Sequence, residues 1–212
     1  MRNKIVLIGG GGHCKVAISL IQTSTNFEIY GITDSKLKIG SSVNGIKVLG
    51  TDKILKQLHK KGITNALISV GSIKDNTLRE KLYIQTKNIG FSMPAIVSKF
   101  AIVDKTAKIG YGTVVLPGTI INANARIGQN CIINTGSIIE HDVKIDNHCH
   151  VAPGAVICGS CNIMSKSFIG SGATVINNIN IGQSCVVGAG SVVIRNIESK
   201  SIVTGIPAKR VK

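Results

Sequence analysis

From Val97 to Val193, every sixth residue of this chain is Ile or Val, without exception over seventeen positions. Two residues before each of them lies a second column, Ala101, Ala107, Thr113, Thr119, Ala125, Cys131, Ser137, Val143, Cys149, Ala155, Cys161, Ser167, Ala173, Ile179, Cys185 and Ser191, nearly all small. A third column, three residues after the aliphatic one, is rich in Gly and Asn: Gly112, Gly118, Asn124, Asn130, Gly136, Gly154, Gly172, Asn178 and Gly190. A period of six is neither a helix nor a plain alternating strand. The chain must turn a corner every six residues, with one aliphatic and one small side chain pointing inward and a residue tolerant of positive φ at the bend. This pattern predicts a parallel β-helix. It also accounts for a composition that is 43% hydrophobic but only 3% aromatic, with no Trp.

The columns absorb most of the cysteines as well. Cys131, Cys149, Cys161 and Cys185 fall in the small inward column and read as packing residues, and Cys158 alone in this region lies outside it. An acyl-enzyme on Cys158 is a further reading, although no sequence feature predicts a lowered pKa for it.

The composition changes near residue 97, so two domains are expected, 1–96 and 97–198, with a tail at 199–212. The opening "KIVLIGGGGHCKVAISLIQ" reads as strand, glycine-rich turn and helix, the start of a nucleotide-binding βαβ unit. Further strands are expected at 27–33, 65–70 and 89–93, and helices at 51–61 and 76–88. Counting from Gly9 and Gly11, the third glycine of a dinucleotide fingerprint is replaced by Cys14, which argues against a dehydrogenase. By themselves Gly9 to Gly12 could form only a tight turn, with His13 capping the helix and Asp34 opening a loop.

The formal net charge of +15 suits a polyanionic ligand. Nucleic acid is a minor alternative, because the Lys excess is scattered over 36–108 without a nucleic-acid motif or interleaved aromatics. Six Cys without a secretory signal, and no long apolar stretch, lead us to expect a cytoplasmic protein. No His/Cys cluster has outward ligand spacing, so no metal is expected.

Three of the five histidines lie in "NTGSIIEHDVKIDNHCHVAPGAV". His148 occupies the Gly/Asn corner column and reads as structural. His141 stands at an outward corner position between Glu140 and Asp142, and His150 is the last, outward residue of its hexad. Nine residues separate His141 from His150, so they should not face the same side of one chain.

The hexads "IGYGTV", "IGQNCI", "IGSGAT" and "IGQSCV" resemble those of the hexapeptide-repeat acyltransferases. That resemblance implies a left-handed β-helix with three hexads per coil, and trimers with active sites between neighbouring β-helices. The order of domains and "NTGSIIEHDVKIDNHCHVAPGAVICG" are similar, more narrowly, to the NeuD/PglD-type sugar acetyltransferases. The resemblance implies His141 as general base, Asp142 orienting it and Glu140 as a helper. It places His150 near the thioester, the Gly159 N–H at the thioester carbonyl and Asn134 in the cleft. "GGGGHCK" resembles the family's G-x-x-G-H-x-K segment, in a truncated Rossmann-like domain that holds a nucleotide sugar. Gly12 and His13 would then border the substrate, Asp34 would lie near a uridine, and Gly71 with Ser72 would close the pocket. Ser72 and Ile73 replace an expected polar pair, and Cys14 stands where small residues are common. "GAGSVVIRN" and "TGIPAKRVK" resemble the closing segment that embraces coenzyme A, which implies Gly188, Lys209 and Arg210 as contacts.

What the resemblance implies is an acetyl-CoA-dependent acetyltransferase acting on the amine of a UDP-linked 4-amino-4,6-dideoxysugar for bacterial surface glycans. O-acetylation of a sialic or related acid is the second reading. A non-catalytic trimeric scaffold or binding module is the reading from another class.

Overall fold

The computed structural model describes residues 3–73 and 75–211. The chain divides into two compact units: one runs to Gly71 and includes Leu78–Ile96, and the other joins Ser72–Thr77 to everything from Val97 onward.

The first unit is a five-stranded sheet with helices. Strands β1 (Lys4–Ile8), β2 (Glu28–Thr33), β3 (Ser42–Val43), β4 (Ile46–Gly50) and β5 (Asn65–Ile68) lie in the order β3-β4-β2-β1-β5. β1 pairs in parallel with both β2 and β5, and Ile5 to Ile8 are fully buried, as expected of a central strand covered on both faces. Helix α1 (Gly12–Ser24) buries Cys14, Ala17, Ile18, Leu20 and Ile21 on one stripe. The expected helix at 51–61 is a 3₁₀ turn, Asp52–Ile54, running into α2 (Leu55–Lys60), and α3 spans Thr77–Ile89. The strand expected at 89–93 is a correction: Ile89 ends α3, and the segment contributes one bridge, Ser92 to Asn65. The β3–β4 hairpin was not anticipated. Its signal is Asn44-Gly45 between apolar residues, and both take positive φ, 46° and 79°, as a two-residue hairpin turn requires.

The second unit is a parallel β-helix. Strands pair at a spacing of eighteen residues, for example Ile120 with Ile138 and Ile138 with Val156, which gives three hexads per coil. The first sheet carries Val114–Val115, Ile132–Ile133, His150–Val151, Phe168–Ile169 and Val186–Val187. The second carries Ile102–Val103 through Val192–Val193, and the third Lys108–Ile109 through Asn180–Ile181.

Both inward columns close the core. The aliphatic column from Val115 to Val193 is essentially solvent-free, while Val97, Val103 and Ile109 in the first coil are only partly buried. Hydroxyls and thiols in the small column are buried with their polar atoms partnered, most of them by a carbonyl of the next coil, although Ser137 Oγ donates to Asn134 O within its own turn and Ser191 Oγ accepts from the Gly205 N–H. Thr113 Oγ1 donates to Gly128 O at 2.7 Å and Ser167 Oγ to Gly182 O at 2.8 Å, and Cys149 Sγ–H reaches Met164 O at 3.2 Å. From Gly112 to Gly190, all fourteen residues of the corner column have φ between 54° and 72°, including Asp142, His148, Ser160, Lys166 and Ser184. The bend is therefore imposed by the coil even where the residue type does not favour it.

Candidate active site

His141 sits at the corner between the second and third sheets, and positive φ at Asp142 makes the bend there. The same bend brings the two side chains together, with His141 Nδ1 2.9 Å from Asp142 Oδ2 and relative side-chain exposures of 56% and 53%. A carboxylate can only accept, so Nδ1 carries the proton and Nε2 is left as the basic lone pair. The hydrogen bond from His141 holds the Asp142 carboxyl below its ordinary range. Asn124, one coil earlier, and Lys144 add to this.

One coil later, Gly159 lies against the imidazole. A Cβ at this position would be 2.6 Å from His141 Nε2 and 2.7 Å from Cε1, so only glycine leaves the ring its place. The Gly159 N–H donates to no protein acceptor among the described residues. Glu140 and Cys158 stack in the neighbouring column. Burial pushes the Cys158 thiol up and the Glu140 carboxylate adds to it, which opposes a thiolate nucleophile.

His150, Asn134 and Ser72 form a second cluster, on the first sheet. His150 occupies the outward position expected for it, yet the residue is only 7% exposed rather than open to solvent. It packs edge-on against Phe168, with centroids 5.2 Å apart. Its protonation follows from its neighbours. The Thr135 N–H donates to Asn134 Oδ1 at 2.8 Å, so the Asn134 amide presents Nδ2 to His150 Nε2 at 3.1 Å. Nε2 must then accept, and Nδ1–H donates to Ser72 O at 2.5 Å. His150 is thereby held as the neutral Nδ1–H tautomer with both nitrogens engaged. His141 and His150 lie on different parts of the coil.

In the first unit, Gly12, His13, Asp34 and Gly71 gather at the carboxyl ends of β1, β2 and β5, where the sheet order reverses around β1. The Gly9 N–H donates to Thr33 O, and Ser69 Oγ donates to Gly9 O, which latches the loop to both neighbouring strands. Asp34 accepts from the N–H groups of Gly10, Lys36 and Leu37 at 2.7 to 3.0 Å. Partial burial would raise its carboxyl, but those three donors outweigh it and the net displacement is downward. Gly71 packs on His13, where a Cβ would meet the His13 Cβ at 3.2 Å. Positions 11 and 12 face open space at the start of α1, so backbone N–H groups are presented there. Cys14 is a core residue whose thiol is raised by burial.

The PglD N-terminal domain family matches residues 4–86, and the bacterial transferase hexapeptide (six repeats) family matches residues 124–159. No curated protein sequence matches the chain. PerB from Caulobacter crescentus, solved with CoA and GDP-perosamine, is 34% identical over 99% of this chain and 97% of its own, with a TM-score of 0.92. The acetyltransferase domain of PglB from Neisseria gonorrhoeae, solved with acetyl coenzyme A, is 30% identical over 100% of both chains, with a TM-score of 0.92. The chain belongs to the NeuD/PglD-type sugar acetyltransferases of the hexapeptide-repeat superfamily.

As a member of that family, the acetyltransferase has a left-handed β-helix. WeeI from Acinetobacter baumannii is similar at 25% identity over 98% of this chain and 99% of its own, with a TM-score of 0.82. Toward the carboxyl end, Gly188 packs on Thr204, where a Cβ would lie 2.8 Å from Thr204 Oγ1. Lys209–Arg210 pairs antiparallel to Ile202–Thr204, so part of the expected tail continues the first sheet of the acetyltransferase. Both side chains are exposed, and Arg210 Nη1 is 3.5 Å from Glu198 Oε2. Sequence reasoning missed Asn124 as the brace of Asp142. A reading at period eighteen, rather than six, would have aligned the two corners. Among the described residues of the acetyltransferase, no group of three or more His, Cys, Asp or Glu could hold a metal ion.

Proposed function

We propose that this enzyme transfers the acetyl group of acetyl-CoA to the amine of a nucleotide-linked 4-amino-4,6-dideoxysugar, with His141 as general base. The observation that carries the reading is the exposed His141–Asp142 pair, whose free Nε2 lies over Gly159. As the amine attacks the thioester carbonyl, Nε2 takes its proton, and Asp142 stabilises the imidazolium that results. The C–S bond breaks as the tetrahedral intermediate collapses, and the proton leaves with the coenzyme A thiolate. An N–H at Gly159 is suited to the oxyanion, being uncommitted among the described residues. Glu140 is the flanking helper. Histidine-to-asparagine and histidine-to-alanine variants of the Caulobacter enzyme were solved with CoA and GDP-perosamine, which supports a histidine at the reacting centre.

In this reading Gly12, His13, Asp34, Gly71, Ser72 and Asn134 serve the sugar nucleotide, and His150, Gly159, Gly188, Lys209 and Arg210 serve acetyl-CoA. Asp34 acts mainly by shaping the loop, since its oxygens are largely taken by backbone donors. We take uridine as the nucleotide of the first reading. The GDP-perosamine of PerB favours guanosine as the second.

A homotrimer is supported by the outward column of the second sheet, Ile102, Ile120, Ile138, Val156, Thr174 and Val192. This apolar stripe adjoins the His141 corner, and Ile102 is 67% exposed. Surface-glycan synthesis in the cytoplasm is the setting we infer. Among the described residues no helix is long and apolar enough to cross a membrane.

The test is thiol release from acetyl-CoA across UDP-4-amino sugars, GDP-perosamine, CMP-sialic acid and free sialic acid. Turnover on an amino-sugar nucleotide supports N-acetylation. Turnover only on a sialic acid replaces the acceptor, and silence on the whole panel removes the reading.

A further inference from the structure

The outward positions of the third sheet, read every eighteen residues, are Lys108, Arg126, Lys144, Asn162 and Asn180. The pairing is in register, Lys108 beside Arg126 and Arg126 beside Lys144. With parallel strands about 4.8 Å apart, three cations are stacked along the β-helix axis. Like charges directly opposite one another destabilise a sheet. The next two rungs satisfy each other, Asn162 Nδ2 donating to Asn180 Oδ1 at 2.8 Å. Among the described residues none of the three makes an ion pair, and the Asp142 carboxylate that Lys144 feels is already held by His141. All three are exposed. They line a groove of about 610 Å³ together with Asn124, Ser160 and Asp142, and Asp142 is the carboxylate that holds His141.

We propose that this cationic ladder is a phosphate subsite that takes the diphosphate of a substrate of this enzyme. The proposal rests on the acyl-transfer reading, under which acetyl-CoA and a nucleotide-linked sugar both carry that group. The chemistry fits: an Arg fork flanked by two ammonium groups matches the charge and the several acceptor oxygens of a diphosphate. Three rungs span about 10 Å at this strand spacing, the length of a few linked phosphates rather than of a polymer track. The column has no aromatic side chain on which a nucleobase could stack, which argues against single-stranded nucleic acid. Repulsion that costs stability when the groove is empty is relieved when an anion enters it. A phosphate held there lies beside the reacting corner.

The experiment compares Arg126→Gln, Arg126→Lys and the Lys108→Gln/Lys144→Gln pair with the parent enzyme. Calorimetric titrations use inorganic pyrophosphate, CoA, UDP and GDP at two salt concentrations, and KM values are measured for both substrates. Arg126→Gln and the paired variant should weaken pyrophosphate and one of the substrates at least tenfold and flatten the salt dependence, while kcat of Arg126→Gln stays within about twofold. Arg126→Lys should keep more affinity than Arg126→Gln. Loss confined to CoA assigns the ladder to the acyl donor, and loss confined to a nucleotide assigns it to the acceptor. Unchanged affinity for all four ligands overturns the proposal. Because the titrations need no turnover, ladder-dependent binding in a protein that acetylates nothing would retain the subsite and remove the acyl-transfer reading. Thermal melts at or slightly above the parental temperature, as relief of like-charge repulsion implies, confirm that the exposed substitutions leave the fold intact.

Discussion

Gly159 stands one coil beyond His141, and the imidazole occupies the volume that any side chain at 159 would need. Gly159 does not take positive φ, so the requirement is for space and not for backbone freedom. Gly159→Ala should therefore fold normally but displace the ring from Asp142. We expect kcat to fall at least tenfold, with a melting temperature within a few degrees of the parent. Parental kcat in a normally folded Gly159→Ala would mean that the ring position is irrelevant to turnover.

His141→Ala removes the proposed base and leaves the groove and loops in place. Thiol release should drop by on the order of 10² to 10⁴, while calorimetric CoA binding stays near the parental value. Asp142→Asn should lose less, because the amide oxygen can still accept from Nδ1 but carries no charge to stabilise the imidazolium. Near-parental turnover in His141→Ala would remove His141 from the chemistry.

His150 is expected to matter for stability as well as for any ligand contact. Replacing it with Ala leaves the Ser72 carbonyl and the Asn134 amide without their partner in a buried site. Each loss costs roughly 1–3 kcal/mol. Urea denaturation should show a lower midpoint at an unchanged slope. An unaltered midpoint would mean that water replaces the imidazole freely.

Asp34 gives a pH-dependent signature. Its carboxyl is held below the ordinary 3.8 in the folded chain, so its contribution is present above that pH and is lost as pH falls through the lower folded value. The stability gap between the parent and Asp34→Asn should be about 1 kcal/mol near neutrality, after allowing for solvent screening, and should close in acid. A gap that widens on acidification would contradict the hydrogen-bond assignment. Such a result would be visible in denaturant midpoints measured across pH.

A core substitution calibrates the β-helix. Ile157 is fully buried in the aliphatic column, and Ile157→Ala should cost about 2–5 kcal/mol. Cys161→Ala, in the small column beside it, should cost far less, since it removes one sulfur with a weak carbonyl contact. A comparison of unfolding midpoints checks the ratio.

Much of the β-helix was legible because each residue of a six-residue period has one environment. Aliphatic, small and corner columns could be assigned from spacing alone, and the four cysteines of the small column, read as packing residues, are buried. The corner bend at Lys166 and Ser184 was not legible, because neighbouring coils override residue preference there. In the first unit the strand expected at 89–93 failed for a different reason. An apolar run beside Gly90 carries no period long enough to separate the end of a helix from a strand.

Site chemistry was legible only where it is local. Glu140, His141 and Asp142 are adjacent in sequence, so an imidazole flanked by carboxylates could be read from the residues, while Asp142 as its partner came from the family resemblance. The hydrogen-bonded chain from Thr135 through Asn134 and His150 to Ser72 crosses up to 78 residues, and spacing carries no information about it. The cationic ladder lies between these cases, since its spacing of eighteen is written in the sequence but has meaning only once coils are stacked.

The amino-acid sequence by itself determined the coil, its inward columns and the outward corner that presents His141, because a strict short period dictates direction for every side chain. Tertiary structure alone decided which tautomer His141 and His150 hold and that Gly159 must lack a side chain. It also decided that three scattered cations share one groove. Those outcomes depend on contacts between successive coils, whose distances are set by strand stacking rather than by neighbouring residues.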